Sequence, residues 1–177
     1  EHAIAGLEGA RAYAYAPGPG PGPGPGPGDR LLTDVLGFTA TGPSEYRLDG
    51  AERHFHWAYD EPPAERGRPG AGTVHHIAWA SRDEDHRDWQ RRVADAGAAV
   101  TDVIDRDYFE SIYFREPRGI LFEIATLSPG FAVDEDPDRL GESLRLPRQY
   151  EHLRPTLERV LSPVVSPRTA RRETVVR

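Results

Sequence analysis

The chain has 177 residues, a formal net charge of −7 and 37% hydrophobic residues, enough apolar side chain for one domain or two small modules. Its acidity and its lack of a basic cluster argue against nucleic-acid binding, and no apolar run approaches the ~20 residues of a membrane span. Without Cys there is neither a disulfide nor thiolate chemistry.

All 22 Lys+Arg positions are Arg, and Asn and Met are also missing, a composition expected of a GC-rich bacterial gene. The lack of Met implies that Glu1 is a trimmed or processed end, or the start of a piece of a longer chain. No charged-then-apolar leader is visible, so the expected location is the cytoplasm.

Ala10 to Tyr15 alternates small and large residues, as a strand does. Residues 17–28 are a strict Pro-Gly alternation that admits neither helix nor sheet; its period of two excludes collagen, leaving a solvated loop or linker. Asp29 is placed to cap a short helix through Leu36, with Gly37 as its stop. Glu45–Leu48 and Arg53–Tyr59 read as strands around a turn at Asp49-Gly50. Residues 1–61 thus form a first module, closed by the turn-rich stretch from Pro62 to Gly72.

The second half is cleaner. Thr73–Ala80 reads as a strand, and Glu84–Ala96 as an amphipathic helix with Trp89, Val93 and Ala96 on one face and Gly97 at its end. Ala99–Ile104, Ser111–Arg115 and Ile120–Thr126 are further strands, the last two joined by the turn Glu116-Pro117-Arg118-Gly119. The order over residues 70–127 is β-α-β-β-β, which the first half repeats less cleanly, so an internal duplication is expected. Residues 128–177 form an acidic, Pro-interrupted extension with one helix at Tyr150–Leu161 and a disordered tail from Ser162.

One constellation carries chemistry. His75 and His76 lie on the strand that opens the second module, and Glu123 on the strand that closes it. If Ile77 and Trp79 pack against the module's helix, alternation turns His76 and Ala78 to the concave face. Glu123, between Phe122 and Ile124, turns the same way. A carboxylate within an apolar strand is costly unless paired or metal-bound. Imidazole plus carboxylate makes up most of a 2-His-1-carboxylate iron site. A hydrogen-bonded core His76, with Glu123 paired to an Arg, is the alternative.

The run from Ile112 to Glu123, Ile-Tyr-Phe-Arg-Glu-Pro-Arg-Gly-Ile-Leu-Phe-Glu, resembles the signature of type I extradiol ring-cleaving dioxygenases. These belong to the vicinal oxygen chelate (glyoxalase/bleomycin resistance/extradiol dioxygenase) superfamily. The resemblance covers roughly Gly6 to Leu161, is strongest from Gly70 to Gly130, and extends to features of the C-terminal half of hydroquinone-type enzymes. It implies an α+β fold of two βαβββ modules forming a curved mixed sheet around a cup. It further implies His76 and Glu123 as ligands of Fe(II), or of Mn(II), and Tyr113 as a hydrogen-bond donor to the substrate oxygen. Where many extradiol enzymes carry His, this chain has Arg106, as the hydroquinone-cleaving branch does. A fixed cation there would stabilise a phenolate; pairing with Asp105 or Asp107 is the alternative. His75 is a supporting group in that branch, although simple alternation sends it to the helix side.

The resemblance to hydroquinone-type enzymes implies a third ligand from a His on the first strand of the first of four modules, yet the first strand of this chain, Gly6-Leu7-Glu8-Gly9-Ala10, holds none. The chain is therefore expected to be the C-terminal part of a longer protein, or to be completed by another copy, or to keep a two-ligand remnant. His54 and His56 share a strand face and are the internal candidates for a replacement, although such pairs ordinarily face solvent. His2, His86 (on the helix's polar side) and His152 have no evident partner. The acidic run Asp134 to Asp138 lacks the glycine turn of a calcium loop. The expected function is Fe(II)-dependent ring cleavage of a small aromatic diol, a hydroquinone or catechol, by O2. A glyoxalase-like lyase or isomerase, or a non-catalytic module binding an aromatic ligand, are the alternatives on the same fold.

Overall fold

Residues 6–14, 30–65 and 67–162 are described by the structure, a computed structural model. The Pro-Gly run, the capping role of Asp29, His2 and the tail beyond Ser162 lie outside them. The first sheet contains β1 (Gly9–Tyr13), β2 (Thr39–Gly42), β3 (Glu45–Asp49) and β4 (His54–Asp60), in the order β1-β4-β3-β2. The second contains β5 (Ile77–Ala80), β6 (Ile104–Asp105), β7 (Glu110–Arg115) and β8 (Leu121–Ala125), in the order β5-β8-β7-β6.

Each sheet pairs its first strand parallel to its last and is otherwise antiparallel. A parallel pair needs a crossover. In the second module helix α1 (His86–Asp95) lies in that crossover, ending where Gly97 takes φ +86°, a left-handed value open to glycine. In the first module the crossover carries a π-helical turn, Leu31–Val35, at the place of the short helix expected there. The α+β class and the repeated βαβββ order agree with the sequence reading.

The sheets are separate hydrogen-bonded units, joined by side chains. Alternation along β4 sends Phe55, Trp57 and Tyr59 to one face; along β8 it does the same for Phe122 and Ile124. Trp57, 1% exposed, meets Phe122 edge-on at 5.2 Å and Tyr59 at 5.4 Å. Trp79 lies edge-on to Phe38 at 5.2 Å and Phe55 at 5.0 Å. Trp79 thus meets aromatic rings of the first module as well as Phe122 of its own, at 5.4 Å. Val93 of α1 belongs to the same core.

A polar contact also crosses between modules. Glu116, 2% exposed, accepts hydrogen bonds from the Arg118 and Ile120 amides at 3.0 and 2.8 Å and from the Tyr59 hydroxyl at 2.9 Å. The Arg118 guanidinium stands 4.0 Å over the Tyr59 ring. Burial pushes the Glu116 carboxyl up and the Tyr59 hydroxyl far up from their ordinary values.

Several elements differ from expectation. Thr73–Val74 and both histidines precede β5 rather than lying in it. The strand predicted at Ala99–Ile104 is reduced to β6 and one bridge between Val100 and Phe114. The helix predicted at Tyr150–Leu161 is a 3-10 segment, Arg148–Leu153, followed by α2 (Arg154–Val160). His86, predicted on the polar side of its helix, is fully buried, with Nδ1 2.9 Å from Ser81 Oγ. Among the described residues no helix is long and apolar enough to cross a membrane.

Candidate functional site

The register of the second sheet builds the site. Antiparallel pairing sets Tyr113 of β7 directly across from Glu123 of β8, and parallel pairing sets Ala78 of β5 on the other side. Phe122 and Ile124 point to the core, so Glu123 points to the opposite face. Ser111, two places before Tyr113 on the same strand, shares that face. Ala78 is too small to cover it.

His76 Nε2 lies 2.7 Å from Glu123 Oε2. The other carboxylate oxygen accepts from the Tyr113 hydroxyl at 2.8 Å and from the Ser111 hydroxyl. With 3% exposure, Glu123 is a buried carboxylate answered by one imidazole and two hydroxyls. Among the described residues no Arg pairs with it. His76 is about one-third exposed, so its partner faces an opening. Its ring stands edge-on to Tyr113 at 5.8 Å.

His75 does not turn to the helix side. It precedes the strand, where pleat alternation does not apply, and its Nδ1 lies 2.9 Å from His76 Nδ1. One of the two nitrogens carries the proton between them. When His76 Nε2 is free of a proton, the remaining one sits on Nδ1 and His75 accepts it.

Burial raises the Tyr113 hydroxyl pKa, helped by its bond to Glu123, while the nearby Arg106 charge opposes the rise. Arg106 is exposed and makes no side-chain hydrogen bond or ion pair among the described residues. Asp105 Oδ1 instead accepts from the Asp107 amide at 2.8 Å. The guanidinium is thus available to the Tyr113 side of the site.

The donor set fits a metal ion. Cis ligands around an ion with bonds of ~2.0–2.2 Å stand about 3 Å apart, and the His76 and Glu123 donors stand 2.7 Å apart. Among the described residues no third His, Asp or Glu lies close enough to join them. His54 and His56 gather with Glu8 instead, and His152 lies in the 3-10 segment Arg148–Leu153. Sequence reasoning missed Ser111; its signal was the two-residue step from Tyr113.

The sequence pattern of the Glyoxalase/Bleomycin resistance protein/Dioxygenase superfamily matches residues 30–124. Two curated relatives from Bacillus subtilis (strain 168) are named as ring-cleaving dioxygenases. MhqO is 59% identical over 102 residues, covering 57% of this chain and 33% of the relative. MhqA is 38% identical over 148 residues, covering 76% of this chain and 46% of the relative. A crystal structure from the same organism, described as a dioxygenase, superposes with a TM-score of 0.72 at 41% identity, covering 89% of this chain and 50% of that one. The chain thus spans a half or less of the length of these similar proteins.

Proposed function

Because the chain belongs to the Glyoxalase/Bleomycin resistance protein/Dioxygenase superfamily, we propose that it carries the metal-binding part of a ring-cleaving dioxygenase acting on a hydroquinone or catechol. The observation that carries this reading is the convergence of His76 Nε2 and Glu123 Oε2 at 2.7 Å. In this reading the two residues hold Fe(II), with Mn(II) as the other candidate. A relative from Sphingobium indicum, 39% identical over 100 residues, or 54% of this chain and 30% of the relative, is named chlorohydroquinone/hydroquinone 1,2-dioxygenase. The same reading assigns residues 1–61 and 70–127 to two modules and 128–177 to an extension.

The ion would supply Lewis acidity and dioxygen activation. The remaining work falls to side chains. Ser111 and Tyr113 fix the Glu123 carboxylate by holding one oxygen, leaving the other toward His76. His75 keeps the remaining imidazole proton on His76 Nδ1, so that Nε2 stays a donor of electrons. Tyr113 remains protonated at neutral pH, because its pKa is raised, and its single O–H can turn from Glu123, which Ser111 still holds, to a substrate oxygen. Arg106 places a permanent positive charge near a phenolate and near negative charge that develops on ring opening. Ala78 leaves the ring room above the sheet.

Oxygen uptake by Fe(II)-supplemented protein given hydroquinone tests the reading. One O2 should disappear per ring opened, and Glu123→Ala should abolish it. Uptake unchanged in that variant would remove the site assignment. Substrate conversion without oxygen uptake would favour a lyase or isomerase. A binding module without turnover is the second reading, supported by the two-ligand donor set among the described residues; tight aromatic binding with no conversion would favour it.

A further inference from the structure

We propose that the first module carries a separate site for a divalent transition ion of the Zn(II) type, built by Glu8, His54 and His56. One ligand atom from each of the three lies within 4.8 Å of the others. All three are exposed, so the donors are open to solvent. The two histidines sit on the first sheet and Glu8 at its entry, whereas His76 and Glu123 belong to the second module.

Backbone structure holds the group together. His54 and His56 are two apart on β4 and therefore share a face. Their rings stand edge-on, 4.9 Å between centroids. Glu8 enters from the chain that leads into β1, and its carbonyl accepts the His56 amide at 2.9 Å. Gly9 lies directly across from His56. A Cβ at Gly9 would come within 2.7 Å of the His56 carbonyl oxygen and 3.0 Å of its Cβ. Only glycine permits this close approach, which brings Glu8 up against the histidine pair.

The chemistry suits a borderline ion. Two imidazoles and a carboxylate are ligands for Zn(II), and three protein donors leave a position open for water or a small anion. Exposed side chains can close 4.8 Å to the ~3.3 Å edge of a tetrahedral site by small rotations. The cation directly across from His56 is Arg47, whose guanidinium is held by Asp49 at 3.0 Å. Its charge is thus answered locally. A bound ion would tie the entry of the edge strand β1 to β4.

The test uses the tag-free 177-residue chain carrying His76→Ala and Glu123→Ala, which removes the donors of the proposed iron centre. Calorimetric titration with Zn(II) should find one equivalent bound. Adding Glu8→Gln should weaken it about tenfold or more. Adding both His54→Ala and His56→Ala should abolish it, together with any rise in melting temperature on adding Zn(II). No binding in the parent variant, or undiminished binding after the two histidines are removed, would overturn the proposal. If the parent variant does not fold, the same titration in the otherwise unaltered chain should lose one equivalent with His54→Ala and His56→Ala. An unchanged stoichiometry there would overturn it equally.

Discussion

A carboxylate with 3% exposure survives at Glu123 because every nearby polar group answers it: His76 on one oxygen, Ser111 and Tyr113 on the other. Tyr113→Phe should leave the fold and metal affinity nearly intact while lowering kcat by about 10- to 100-fold, through loss of a positioned donor. Steady-state kinetics beside a metal titration checks both halves; an equal loss of affinity would make Tyr113 a support for the ligand alone. Ser111→Ala should act on the ligand instead, weakening metal binding about 10-fold. Tyr113 and Glu123 were legible because a dense local motif spans Ile112 to Glu123; His76 and Arg106 lie outside it and were placed by the module's opening segment and by the family resemblance. Ser111 lies one residue outside that motif. His75 was misplaced because alternation was extended beyond the start of the strand. The turn from Glu116 to Gly119 was legible, but the burial of the Glu116 side chain was not, since its partner Tyr59 is far away in the chain.

The helix and the last two strands of the second module follow their periodicity closely, whereas Ala99–Ile104 shortens to β6 and a bridge, and α1 holds an instructive failure of its own. His86 opens the helix amid charged neighbours, so the sequence puts it on the solvent side. Ser81, just after β5, instead draws it inside, where Nδ1 is hydrogen-bonded and Nε2 has no partner. Burial lowers its pKa, outweighing the pull of Glu110 and Asp83. The sign follows from proton uptake. Above the ordinary histidine value of 6.5 both states are neutral and stability is complete; as pH falls below it, the unfolded chain takes up a proton that the folded one refuses. Thermal unfolding between pH 8 and 5.5 should therefore show a falling melting temperature, with a shallower slope in His86→Leu. Identical slopes would assign the effect to other groups. Thr39–Gly42 escaped the sequence reading because Thr-Ala-Thr-Gly carries no large apolar residue. It is an edge strand, and only its pairing with β3 defines it.

At the scale of the molecule, two βαβββ units share one aromatic core, and no periodicity within either unit reveals that. Trp57 faces Phe122 and Trp79 across the junction. Trp57→Ala should cost about 3–5 kcal/mol, and denaturant unfolding followed by tryptophan fluorescence and by circular dichroism should still give one coincident transition. Separate transitions would mean that each sheet is stable alone. The duplication itself was legible in the element order, and the topology within the second unit sets its first and last strands side by side, so that His76 and Glu123 meet. Anomalous diffraction from crystals soaked anaerobically in Fe(II) or Mn(II) tests that meeting most directly. An ion should appear within about 2.0–2.3 Å of both His76 Nε2 and Glu123 Oε2, and vanish in Glu123→Ala. Crystals in which ions occupy other sites while His76 and Glu123 stay in direct contact would contradict the proposed centre.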